Sequence, residues 1–88
     1  MPVYQVELSR AAEKAIRGLE RKMQVRIANR IRQLAENPRP HDAKKLQGEQ
    51  GVYRVREGDY RILYEIFDKK LLIYLLQVGH RREIYRYL

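Results

Sequence analysis

The stretch Arg54-Val55-Arg56-Glu57-Gly58-Asp59-Tyr60-Arg61 decides how this chain folds. Gly58-Asp59 between two strand-like runs predicts a two-residue turn, flanked by Glu57 and Tyr60. That register sets Arg56 directly across from Arg61 on one face of the sheet. Directly opposed like charges destabilise a strand pair. Tolerating them points to a use for concentrated positive charge, most simply an anion such as phosphate. Arg54 has the same parity as Arg56 and should share its face.

Three strands follow from this hairpin: Val52 to Glu57, Tyr60 to Phe67 and Leu71 to Val78. In the middle strand Tyr60, Ile62, Tyr64 and Ile66 face one way, and Arg61, Leu63, Glu65 and Phe67 the other. The third strand is apolar on both faces from Leu71 to Leu76, which predicts the most buried strand. Asp68-Lys69 or Asp68 to Lys70 supplies the second turn, and Tyr60, Tyr64 and Tyr74 lie at apolar parities expected of the core. Glu83 to Leu88 is expected to form a final helical turn.

Upstream, Val3 to Leu8 alternates as a half-buried strand should. Ser9 offers a helix N-cap, ahead of an apolar stripe of Ala12, Ala15, Ile16 and Leu19, and Gly18 or the Leu19-Glu20 region ends that helix. Met23, Ile27, Ile31 and Leu34 mark a second helix, stopped by Asn37-Pro38. Pro38 to Gly51 reads as a loop carrying Lys44 and Lys45. The expected fold class is α+β in one domain, residues 1–88. An N-terminal strand and a two-helix antiparallel hairpin precede a three-strand meander, with the helices on one face of a mainly antiparallel sheet. Tyr53, Val55, Ile62 and Tyr64 should pack on the helices, leaving Arg54, Arg56 and Arg61 on the opposite face.

Eighty-eight residues, 44% of them hydrophobic, suffice for one modest core. With no cysteine there is no disulfide, thiolate zinc site or cysteine nucleophile, which suits a cytoplasmic protein. No apolar run approaches the roughly 20 residues that span a bilayer, and Met1 to Arg10 lacks a basic-then-apolar signal pattern, so neither membrane nor export is expected. Nineteen Lys and Arg against 11 Asp and Glu give a net charge of +8. That balance favours nucleic acid, an acidic protein or anionic lipid as partner.

Guanidinium groups present paired donors matched to phosphate oxygens and stay charged at any working pH. On a sheet face they can grip a nucleic-acid backbone and stabilise charge developing at phosphorus. The alternative is that they form ion pairs with Glu57, Asp59 or Glu65. Beyond the strands, Gly79 allows a sharp exit and His80, Arg81, Arg82 and Tyr85 follow in one short segment. Histidine ordinarily titrates near neutrality, although a lone histidine at a strand end is more often structural. Tyr85 can stack on a base or merely seal the sheet. Lys44 and Lys45 can contact RNA phosphates, and serve solubility equally well. No His, Asp and Glu spacing converges on a metal site, and no phosphate-cradling glycine loop is present.

Three segments together give the chain a resemblance to the RelE family of toxins, within the RelE/ParE superfamily. They are Lys44-Lys45-Leu46-Gln47-Gly48, then Tyr53 through Tyr64, then Val78-Gly79-His80-Arg81-Arg82-Glu83-Ile84-Tyr85. The resemblance implies a toxin that enters the A site of the 70S ribosome and cleaves messenger RNA without a metal or other cofactor. In that chemistry the ribose 2′-hydroxyl attacks the adjacent phosphate, leaving a 2′,3′-cyclic phosphate and a 5′-hydroxyl. By position, Arg61 and Arg81 match arginines that stabilise the scissile phosphate, and Tyr85 an aromatic that orients the nucleotide. Lys44, Lys45 and Arg82 are candidates for RNA or ribosome binding.

Arg54 and Arg56 stand where the best-known members have lysines. An arginine, with a pKa above about 12, is a poor general base. The resemblance therefore makes these two electrostatic clamps and leaves proton removal to His80, to Tyr85, or to ribosomal RNA and water. It further implies a RelB-like antitoxin partner, with promoter DNA bound only through the toxin–antitoxin complex. Two alternatives stay open: a ParE-like inhibitor of DNA gyrase, and a catalytically silent binding module.

Overall fold

The structure, a computed structural model, describes residues 3–46, 48 and 51–84. Its elements in chain order are β1 (Gln5–Leu8), α1 (Arg10–Arg17), α2 (Arg21–Glu36), β2 (Lys44–Lys45), β3 (Val52–Glu57), β4 (Tyr60–Phe67), a 3₁₀ turn (Asp68–Lys70), β5 (Leu72–His80) and α3 (Arg81–Ile84). One five-stranded sheet has the order β1-β5-β4-β3-β2, with β1 parallel to β5 and every other pair antiparallel. This is the α+β architecture expected, in mixed-sheet form.

The helices arise where the apolar spacing places them. Ser9 caps α1 by accepting from the Ala12 backbone N–H at 3.0 Å, and its own hydroxyl donates to the Leu76 carbonyl at 2.8 Å. One side chain thus starts the helix and ties it to the sheet. Ala12 from α1, with Ile27 and Leu34 from α2, meets Val55, Ile62, Tyr64, Ile66, Ile73, Leu75 and Val78 in the core. Met23 and Ile31 pack at its margin. Tyr64, fully buried, satisfies its hydroxyl by donating to the Pro38 carbonyl at 2.7 Å.

Five expectations need correction. β1 begins at Gln5 and not Val3, because the Tyr4 N–H donates to the Ala35 carbonyl at the end of α2. The Pro38 to Gly51 loop contains the short strand β2, whose two residues carry no alternation to read. The most buried strand is β4, not β5: it lies at the centre of the sheet and has five buried residues, against three in β5. Tyr74 lies outside the core. A register shift opposite Leu63 and Tyr64 leaves Leu76 as the extra residue, so Leu75 and Ile73 take the core face and Tyr74 turns to the other. Helix starts at Arg81, two residues ahead of the expected Glu83, and the rest of that expected turn, Tyr85 to Leu88, lies outside the described residues.

Candidate active site

The hairpin register is the one its sequence predicts: Glu57 pairs with Tyr60, Arg56 with Arg61 and Arg54 with Leu63. Gly58 has φ of 60° while Asp59 stays on the negative side, the pattern of a turn that needs glycine only at its first central position. Directly paired residues project from one face. Arg56, Arg61 and Gly79 therefore form one row across β3, β4 and β5, and Lys44, Arg54, Leu63 and Gln77 form the next across β2 to β5. Both rows lie on the face away from the helices. Lys44 thus joins the arginine face, whereas Lys45, opposite Tyr53, turns to the helix side.

Arg61 differs from its neighbours in burial, being only 6% exposed. Its Nη1 donates to the carbonyls of Gly58 at 3.2 Å and Tyr60 at 3.0 Å. A buried cation without a carboxylate is costly, and Arg61 has none: among the described residues Arg54, Arg56, Arg61, Arg81 and Lys44 form no ion pair. The ion pairs among the described residues are Arg17–Glu13, Arg26–Glu57, Arg30–Asp42 and Arg39–Asp68. The alternative that Glu57 neutralises the cluster therefore gives way, because Glu57 is engaged by α2. Carbonyl oxygens orient Arg61 without cancelling its charge.

The end of the chain is tied to the same turn. The Arg81 backbone N–H donates to the Asp59 carbonyl at 2.7 Å, so α3 starts against the hairpin tip. Gly79 lets Ile84 close over the strand end: a Cβ there would lie 3.4 Å from Ile84 Cδ1, which is itself fully buried. Arg81 and Arg82 are exposed at the start of this short helix.

A family model described as the ParE toxin of type II toxin–antitoxin system, parDE, matches residues 6–85. The chain belongs to the RelE/ParE superfamily of type II toxins. Several of its relatives carry the RelE name. The mRNA interferase toxin RelE of Escherichia coli K12 is 28% identical over 86 residues, covering 93% of this chain and 90% of that one. The archaeal RelE–RelB complex of Pyrococcus horikoshii is similar with a TM-score of 0.81 and 29% identity, over 92% of this chain and 98% of that one. The RelBE2 toxin–antitoxin complex of Mycobacterium tuberculosis is similar at 0.78 and 27%, over 90% and 99%.

One expected site residue of this RelE-like toxin, His80, sits apart from the arginine rows. His80 pairs with Tyr60 and shares its face, the helix side, with ring centroids 5.6 Å apart in an edge-to-face contact. Its Nδ1 accepts the Arg82 backbone N–H at 3.2 Å. There it borders an open cleft of about 490 Å³ with Lys14, Ala15, Leu19, Tyr60 and Glu83. Tyr85 falls outside the described residues. The sequence reading missed the carbonyls of Gly58, Asp59 and Tyr60, which hold the arginine side chain and the α3 backbone. No side-chain pattern announces a backbone acceptor, although the Gly58-Asp59 turn was the available signal.

Proposed function

We propose that this toxin is an mRNA interferase, a ribosome-dependent endoribonuclease that cleaves messenger RNA in the A site. The observation that carries this reading is the cationic face of Lys44, Arg54, Arg56 and Arg61, with Arg81 at the adjoining turn, unneutralised among the described residues. The name of the E. coli relative supports the same activity. In this reading the 2′-hydroxyl attacks the neighbouring phosphate and the 5′-oxygen leaves. Arg61 and Arg81 stabilise the charge that builds on the phosphoryl oxygens, while Arg54 and Arg56 hold the flanking backbone. Tyr85 orients the nucleotide, and Lys44, Lys45 and Arg82 contact RNA of the messenger or ribosome. His80, on the helix side, serves proton transfer only through water, and ribosomal groups supply the closer base.

The partner that silences the toxin is a RelB-like antitoxin, as the toxin–antitoxin complexes among its structural relatives suggest. Promoter DNA is then bound only through that complex. The test is mapping of messenger 5′ ends on purified ribosomes with and without the protein. Cleavage that needs ribosomes and persists in EDTA is the expected result. A second reading, gyrase inhibition without RNA cleavage, is favoured by the ParE description of the matching family model. Intact messenger together with blocked DNA supercoiling would replace the first reading with the second.

A further inference from the structure

Arg26 projects from α2 to the tip of the hairpin on which the arginine face is built. Its Nε donates to Glu57 Oε2 at 3.0 Å, and its Nη2 forms an ion pair with the same oxygen at 2.9 Å. The guanidinium also lies against Gly58, where a Cβ would stand 3.1 Å from Nη2 and 3.4 Å from Nη1. Glu57 is the last residue of β3, and its side chain is only 22% exposed. The next residues are the ones whose carbonyls matter to the site: Gly58 and Tyr60 receive Arg61 Nη1, and Asp59 receives the Arg81 N–H. An ion pair from the helix layer thus ends on the turn that holds both Arg61 and the start of α3.

We propose that Arg26 is a positioning residue, which clamps Glu57 and so fixes the turn that orients Arg61 and anchors Arg81. This inference rests on the reading of the arginine face as an RNA-cleaving site. Arg26 touches no reacting atom in it. Its effect passes through Glu57 and the Gly58 and Asp59 carbonyls, and small displacements of aligned groups have large effects on rate. With the Arg26 end half exposed to solvent, the pair contributes little to global stability. Conservation of Tm is therefore expected where turnover falls.

The two ends of the clamp allow a discriminating test, because Arg26→Ala lowers the net charge and Glu57→Gln raises it. If Arg26 merely attracted RNA, the two variants would shift ribosome affinity in opposite directions and spare kcat. A clamp lowers kcat in both, by at least about tenfold, with KM little changed. The double variant should then be no worse than either single one, as partners in one interaction are non-additive. Opposite shifts, or an unchanged kcat in either variant, would overturn the proposal. Hydrogen exchange of the Arg81 amide in the free toxin judges the clamp separately from the catalytic reading. Loss of its protection in both variants supports the clamp even if the native protein cleaves nothing, and unaltered protection overturns it.

Discussion

Gly58 meets two demands at once. Its φ of 60° lies in the region where side chains are strained, and the space a Cβ would take is occupied by the Arg26 guanidinium. Gly58→Ala should destabilise the fold by about 1 kcal/mol from backbone strain alone. Chemical denaturation measures this, and an unchanged midpoint would show that the turn relaxes freely. Arg61 illustrates what residue types do and do not reveal. Its pairing with Arg56 was legible from the turn, since register follows from a two-residue loop. Its burial was not, because an arginine on a strand reads as exposed until the coverage of both sheet faces is known.

At the scale of elements, the end of the sheet away from the hairpin tip is fastened by Asp68. Arg39 donates to both its carboxylate oxygens, at 3.1 and 2.8 Å, and Tyr4 donates to Oδ1 at 2.7 Å. Arg39 also donates to the Tyr53 hydroxyl at 3.1 Å and faces its ring. The approach to β1, the segment after α2, β3 and the β4–β5 turn are thereby joined. These donors, Arg39 first and Tyr4 second, hold the Asp68 carboxyl down at about 2. A depressed carboxyl stabilises the fold above its unfolded value, ordinarily about 3.9, and the contribution disappears as pH falls toward the folded value. Native protein should therefore lose stability between about pH 4 and 2 more steeply than Asp68→Asn. Urea midpoints at pH 7, 4 and 2.5 test this, and parallel curves for the two proteins would refute it. The helices and meander were legible because their apolar periods are long. The bulge at Leu76 was not: it belongs to the pairing of β4 with β5, and it moves Tyr74 off the core.

Across the whole molecule, the layers divide the work. Apolar side chains of α1 and α2 cover one sheet face, and the other presents Lys44, Arg54, Arg56 and Arg61. The fold, its class and its arginine face could be read from the chain because turn, alternation and charge agree with one another. The side of β5 taken by His80 needed the three-dimensional pairing, since a strand's last residue has no following alternation to fix it. The central claim is that guanidinium groups left unneutralised on this sheet stabilise a transition state at phosphorus, beyond attracting RNA. Single-turnover cleavage of ribosome-bound messenger by native protein, Arg61→Ala and Arg81→Ala, with ribosome affinity measured in parallel, bears on it most directly. A rate loss of about 100-fold or more in each variant with ribosome binding nearly intact is expected. Cleavage at the native rate by either variant, or a loss explained wholly by weaker binding, would contradict it.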